Sequence, residues 1–246
     1  MYIKVDLKQI KLKLLNEQMT LLKEVNFSIS SNKIYSILGE NGSGKSTLIK
    51  SLTRLLPMNQ YSVEGQVIFD KLDLLKASDD DLRHIRQNKI RYVLQDSINS
   101  FDPLKKLGYY FKPTFYRKDE IENLLDYFLL PVYENIFEMY PNELSGGMAQ
   151  RLTVVLALAA NPELLILDEP TSGIDYTLMN LTFLKLKEFI QKAENSVLLV
   201  TQDWNFASRI SDYVSLLSNG TLTEFLPATE FFSLDLTTTS LLMNAY

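Results

Sequence analysis

The stretch that most constrains this chain is Gly39-Glu40-Asn41-Gly42-Ser43-Gly44-Lys45-Ser46. A continuous apolar run, Ile34 to Leu38, leads into it, and Thr47 to Leu52 leads out with helical periodicity. Strand, glycine-rich loop and helix in that order make a cradle for phosphate. The glycines let backbone N–H groups curl around phosphate oxygens without Cβ clashes, and the start of the following helix adds positive potential. The spacing G-x-x-x-x-G-K-[ST] then brings Lys45 to the β- and γ-phosphates and the Ser46 hydroxyl to Mg²⁺. Asn41, Ser43 and Thr47 complete the expected nucleotide contacts. A plain tight turn with a solvated lysine is the competing reading, and it gives no reason for the flanking strand and helix.

A second acidic site is written into Leu164-Leu165-Ile166-Leu167-Asp168-Glu169, an apolar strand that ends in two carboxylates. At the C-terminal edge of a parallel sheet this pair lies beside a phosphate loop. Asp168 is expected to hold Mg²⁺. Glu169 is expected to polarise the attacking water, since phosphoryl transfer needs a nucleophile oriented in line with the leaving group. Taken alone, the pair could equally be two solvated acids capping a strand.

The rest of the chain alternates strand-like and helix-like segments. Tyr2–Leu7, Ile10–Leu14 and Val25–Ile29 alternate apolar and polar residues as short strands, and Ile90–Leu94 and Val197–Thr201 read as buried ones. Helices are expected at Asp79–Gln87, Asp119–Leu130, from Arg151 to Ala160, and at Thr177–Lys192. Val214–Ser218 and Thr221–Phe225 form a hairpin across Asn219-Gly220. This predicts an α/β fold with a mainly parallel sheet, an antiparallel N-terminal β-subdomain and an inserted helical lobe. The core and β-subdomain would be residues 1–95 and 160–225, the lobe 96–159, and a tail 226–246.

Composition trims the functional classes. The net charge is -5 over 246 residues, so no basic footprint for a nucleic-acid backbone exists and no nucleic-acid partner is expected. There is no cysteine, which excludes disulfides and thiolate metal sites. The longest apolar run, Val154–Ala160, is far short of the ~20 residues of a membrane-spanning helix. The N-terminus, broken by Lys4, Asp6 and Lys8, does not read as a secretion signal. A role in a membrane process would therefore require docking to another protein.

The stretch Leu144-Ser145-Gly146-Gly147-Met148-Ala149-Gln150-Arg151 has no place in a generic phosphate-loop kinase or GTPase. Here the chain resembles the ABC ATPase family, whose LSGGQ signature stands at a helix N-terminus and binds the γ-phosphate held by the opposite subunit of a head-to-tail dimer. The resemblance implies a RecA-like P-loop NTPase core, ATP and Mg²⁺ as ligands, and Ser145, Gly146 and Gly147 as contacts to a neighbour's nucleotide. Gln95 is expected to end the strand-like Val93-Leu94-Gln95, and the resemblance implies that it is the Q-loop glutamine touching Mg²⁺ or water. Asp175, in Ser172-Gly173-Ile174-Asp175, is implied as the D-loop residue facing the other subunit. The implied partners are a second ATPase subunit and transmembrane permease subunits, at the cytoplasmic face of the cell membrane.

Two stretches resemble the dipeptide, oligopeptide and nickel importers within that family: Gln95-Asp96-Ser97-Ile98-Asn99-Ser100-Phe101-Asp102-Pro103 and Tyr140-Pro141-Asn142-Glu143-Leu144-Ser145-Gly146-Gly147-Met148. Uptake of peptides or nickel and metal-chelate solutes is the implied function, with an extracellular solute-binding protein as a further partner. An exporter motor is the alternative. A soluble ribosome- or DNA-directed ATPase fits poorly, because its second ATPase unit or inserted arms have no room here.

Three departures stand out. The family's switch histidine is replaced in Val200-Thr201-Gln202-Asp203 by Gln202, which donates an amide hydrogen bond but carries no imidazolium charge. The only histidine, His84, falls in a charged helix. No aromatic residue lies between Tyr2 and Phe27 to stack the adenine, and Leu14 stands near the expected position. Third, the subfamily's histidine-containing tail survives only as Thr238 and the pair Leu241-Leu242. The expectation is a heterodimer in which this subunit's own site is impaired while Ser145-Gly146-Gly147 completes its partner's. The competing expectation is that Gln202 and Glu169 suffice for ordinary turnover.

Overall fold

The computed structural model describes residues 1–15, 17–111, 117–171, 176–191 and 194–234. Two sheets organise them. The first is antiparallel, in the order β2-β1-β4-β5, from β1 (Tyr2–Lys13), β2 (Gln18–Ser30), β4 (Tyr61–Phe69) and β5 (Leu72–Asp73). In β1 the buried residues are Ile3, Val5, Leu7 and then Ile10, so the period of two slips once. The slip is a bulge. The pairing jumps from Leu7 opposite Gly65 to Gln9 opposite Glu64, which leaves Lys8 as the extra residue. The two short strands expected at Tyr2–Leu7 and Ile10–Leu14 are therefore one strand with a shifted phase. Facing the bulge, Gly65 has φ +135°, and a Cβ there would lie 2.2 Å from the Asp6 carbonyl oxygen. No strand was expected at Tyr61–Phe69, because Glu64-Gly65 interrupts its apolar alternation.

The second sheet is built on five parallel strands in the order β9-β3-β8-β7-β6: β3 (Ile34–Leu38), β6 (Ile90–Val93), β7 (Leu164–Asp168), β8 (Ser196–Thr201) and β9 (Tyr213–Ser218). Short strands β10 (Thr221–Leu222) and β11 (Leu226–Pro227) pair antiparallel to β9. All residues of β3, β7 and β8 are buried, as expected of strands covered on both faces. Along β7 and β8, Leu164, Ile166, Leu198 and Val200 pack with the antiparallel sheet and with α1 (Lys45–Ser51), while Leu165, Leu167, Val197 and Leu199 pack with the helical segments on the other side. The alternation of β7 and β8 thus separates two hydrophobic cores.

Helix α2 (Asp79–Asn88) starts at a Ser78 cap, whose hydroxyl accepts from the Asp81 N–H, with three acids in its first turn. The segment between β6 and β7 holds α3 (Lys118–Tyr127), α4 (Tyr133–Glu138) and α5 (Gly146–Ala159). Helix α3 stops at Tyr127 rather than Leu130, because Leu129 takes φ +52° ahead of Pro131. Helix α5 begins five residues before the expected Arg151: Ser145 caps it, its hydroxyl accepting from the Met148 N–H at 3.2 Å. Three further helices, α6 (Tyr176–Gln191), α7 (Trp204–Ile210) and α8 (Ala228–Phe231), complete the described chain.

Candidate functional site

The C-terminal ends of β3, β8 and β7 lie side by side, and their register brings the expected residues together. Leu38, the last residue before the glycine-rich loop, pairs with Thr201, and Asp168 pairs with Val200. Because β3 has β8 on one side and β9 on the other, the chain leaves it in one direction and returns on the other side, which opens a crevice at its end.

The loop from Gly39 to Gly44 turns through left-handed backbone at Gly42 (φ +83°) and Gly44 (φ +102°). A Cβ at Gly44 would come within 2.8 Å of the Leu22 side chain, so the residue between loop and α1 has neither the space nor the torsion for anything larger. Lys45, 6% exposed, folds back over the loop. Its Nζ donates to the carbonyls of Gly39 (2.9 Å) and Glu40 (3.0 Å) and lies 3.2 Å from Glu169 Oε1. The Ser43 hydroxyl oxygen is buried in the loop with no partner among the described residues. Asn41 is exposed and Thr47 half-buried.

The Ser46 hydroxyl donates to Asp168 Oδ1 at 3.0 Å. Burial holds the Asp168 carboxyl above the ordinary carboxylate range, with the Ser46 hydrogen bond and Lys50 pulling it down and Glu169 adding to the rise. Glu169 follows with φ +49°, a left-handed conformation that costs a non-glycine residue about 1–3 kcal/mol. Its surroundings enforce it. The Glu169 N–H donates to the Val200 carbonyl at 2.9 Å, and Oε2 accepts from the Thr201 hydroxyl (3.1 Å) and the Gln202 N–H (3.2 Å). The acid is thus aimed by three residues while a lysine ammonium sits on its other oxygen.

Thr201 was not singled out from sequence. Its role depends on the β7–β8 register, and the only local signal is its place before Gln202. The Gln202 side chain is exposed and lines a cavity of about 230 Å³ with Gly39, Glu40, Asn41, Trp204 and Leu216. Gln95 stands exposed in the bend two residues beyond the end of β6, rather than ending the strand as expected. No described hydrogen bond joins it to Asp168 or Glu169. Ser145 and Gly146 are exposed at the start of α5, and a Cβ on Gly146 or Gly147 would meet nothing within 4 Å. Packing within the chain therefore gives no reason for glycine at either position. Among the described residues no hydrogen bond ties Ser145–Gly147 to the phosphate loop. A buried bond does tie their helix to the acidic strand: Gln150 Nε2 donates to the Pro170 carbonyl at 2.8 Å. His84 lies exposed on α2, hydrogen-bonded to Asn88. Ser172–Asp175 lie outside the described residues, as does the tail from 235.

The residues present fit a nucleotide and a hard divalent cation. Ser46 and Asp168 offer adjoining oxygen donors of the kind Mg²⁺ prefers, and the orphaned Ser43 hydroxyl marks a loop shaped for a polar ligand. A larger cavity of about 590 Å³ lies along Glu40–Ser43, walled by Met19–Leu21 and the Ser218–Gly220 turn, with no aromatic ring in its lining.

Residues 22–172 match the sequence profile described as ABC transporter. The chain belongs to the ABC transporter family. It is similar to the oligopeptide transport ATP-binding protein OppD of Bacillus subtilis, 30% identical over 86% of this chain and 62% of that protein. It is also similar to the metal-staphylopine import system ATP-binding protein CntD of Staphylococcus aureus, 34% identical over 83% of this chain and 78% of that protein. This ABC cassette superposes on the dimeric bacterial ABC transporter cassette MJ0796 with a TM-score of 0.77 and 30% identity, covering 92% of this chain and 98% of that one. The chain spans just under two thirds of the length of the OppD relatives, 62% and 64% for the first two. No helix among the described residues is long and apolar enough to cross a membrane.

Proposed function

We propose that this chain binds and hydrolyses ATP to drive a membrane importer of peptides or metal chelates, paired with a second ATPase subunit and with permease subunits. The observation that carries hydrolysis is the aim of Glu169: an acid fixed by Thr201 and the Gln202 N–H, one residue past the Asp168–Ser46 pair and against Lys45. When bound, Mg²⁺ supplies charge neutralisation on the phosphates. The chain's own part is to seat phosphate on the Gly39–Gly44 backbone, to offer the Lys45 ammonium, and to accept a proton from water at Glu169. The import class and the solutes are carried by the likeness to peptide and metal-staphylopine relatives. A solute-binding protein and the cytoplasmic membrane face follow from the same reading.

Pairing with a second ATPase subunit is supported by the solvent-facing Ser145–Gly147 at the start of α5, open to a ligand from outside the chain. In this reading Gln95 and Asp175 report to the permease and to the second subunit, and 96–159 acts as the moving lobe. We infer further that the pair is a heterodimer in which this chain's own site is the weaker. Gln202 supplies no imidazolium, and the 590 Å³ cavity beside the loop has an aliphatic wall where a ring would stack the base. The test compares Glu169→Gln in this chain with the equivalent change in the partner, within the assembled transporter. Turnover should hardly fall for the first and collapse for the second; equal collapse refutes the division of labour. Recovery of permease and a solute-binding protein with the tagged chain tests the import reading.

A further inference from the structure

The Gln202 backbone N–H is held on Glu169 Oε2 at 3.2 Å, but its side-chain amide makes no hydrogen bond with any described residue. Among the described residues nothing polar sets where that amide points, so its direction falls to the walls around it. The cavity of about 230 Å³ that it shares with Gly39, Glu40 and Asn41 has one aromatic wall, Trp204, two residues further along the chain. Leu216 is the other apolar lining residue.

Trp204 is 36% exposed, and its ring lies against the end of α8: 5.9 Å from Phe231 and 6.3 Å from Phe232, with those two rings 5.2 Å apart. Centroid separations of that size are those of packed aromatic pairs. Phe231 is 2% exposed and anchors the group, packing with Leu38, Ala207, Val214 and Leu216. Leu38 is the residue before the phosphate loop, and Ala207 lies in the helix that Trp204 begins. That helix start is itself fixed, because Asp203 Oδ1 accepts from the Phe206 N–H at 2.8 Å. The indole is thus backed by a small third core beneath the crevice. A backed indole has few torsions left to lose, whereas a free glutamine side chain keeps several rotamers, so the ring is the cheaper of the two to fix.

We propose that Trp204 is a positioning residue for hydrolysis at this site: held by Phe231 and Phe232, its ring keeps the Gln202 amide turned toward the phosphate loop and the nucleotide seated there. The inference rests on the reading that this chain hydrolyses ATP, and it adds a residue that acts only through Gln202.

The test uses the assembled transporter with the partner subunit's site disabled, so that turnover reports this chain's own site. Trp204→Ala should lower kcat by about tenfold and leave KM for ATP within about twofold, a loss of the size that couples neighbouring residues. Trp204→Phe keeps a ring for Phe232 to back and should retain most of the turnover. Phe232→Ala, on a half-buried residue outside the cavity lining, should repeat the loss in milder form. Because the ring acts through one amide, Trp204→Ala added to Gln202→Ala should lower kcat by less than about twofold further. An unchanged kcat in Trp204→Ala overturns the proposal. So do losses that multiply in the double variant, since a merely structural wall would weaken the site whether or not the amide is present. Should the unfolding midpoint show that Trp204→Ala does not fold, Phe232→Ala alone and combined with Gln202→Ala carries the same decision. A wild-type chain without turnover at its own site overturns the hydrolysis reading, and this inference with it.

Discussion

Lys45 Nζ lies 3.2 Å from Glu169 Oε1, and both side chains are buried, at 6% and 8% exposure. The cation proposed to meet a nucleotide is thus held by the carboxylate proposed to aim at water. On that reading phosphate oxygens and Glu169 compete for one ammonium. Removing the acid's charge with Glu169→Gln should tighten ATP binding to the isolated chain, by about tenfold for each ~1.4 kcal/mol of competition removed. Lys45→Ala leaves a buried carboxylate without its counter-ion and should cost about 3–5 kcal/mol of stability, read as a lower midpoint in thermal unfolding. Titration with a fluorescent ATP analogue checks the first outcome. Unchanged affinity in Glu169→Gln would mean that the pair does not compete with nucleotide.

Asp168 gives a pH dependence with a definite sign. Burial raises its carboxyl above the unfolded value, so between those two values the folded chain holds more protons than the unfolded one. The cost of the buried charge is absent below the unfolded pKa, grows as pH rises through the window, and is fully present at neutral pH. Asp168→Asn should therefore raise the melting temperature of the ligand-free chain at pH 7 and lose that gain in acid, while Mg²⁺-dependent ATP binding is lost. In the wild type, Mg²⁺ dependence should fade at a higher pH than an ordinary carboxylate would dictate. Melting curves from about pH 4, near the ordinary carboxylate pKa, to about pH 8 decide the point.

Gln202→His restores a group able to carry a proton beside Glu169. With the partner's site disabled, turnover at this chain's own site should rise by about tenfold or more, the low end of what a positioned acid–base contributes. Leu14→Tyr, on a residue 44% exposed in the β1–β2 connection, should tighten ATP by about 1–3 kcal/mol if the ring stacks the base. Single-site turnover and binding in the double variant no better than wild type would refute the reading that Gln202 and the missing ring weaken this site.

Much of this arrangement can be read from the residues. The phosphate loop and the strand ending in Asp168-Glu169 stand out because parallel strands buried on both faces are unbroken apolar runs, and loops that wrap phosphate need glycine at fixed steps. What escapes is whatever depends on register. Thr201 acts on Glu169 only because β7 and β8 align as they do, and Gln150 finds Pro170 across 20 residues of chain. The single β1 reads as two strands because the bulge at Lys8 shifts its phase. Strand β4 escapes because Glu64-Gly65 breaks its apolar pattern.

Gly65 turns that last point into a measurement. A Cβ there would press to 2.2 Å from the Asp6 carbonyl oxygen at a φ of +135°. Gly65→Ala should destabilise the chain by more than about 1 kcal/mol, with the denaturant midpoint shifted and the slope retained. A neutral outcome would mean that the β1–β4 pair relaxes around the bulge.

The buried bond from Gln150 to the Pro170 carbonyl joins the helix that begins at Ser145 to the peptide that follows Glu169. Such a bond does not stretch cheaply, because a polar group stranded out of water costs about 1–3 kcal/mol. Tilting α5 therefore pulls on the backbone one residue after Glu169. In the proposed pairing, a ligand held at the solvent-facing start of α5 and the acid at the end of β7 would be the two ends of one rocker, linked through this single bond.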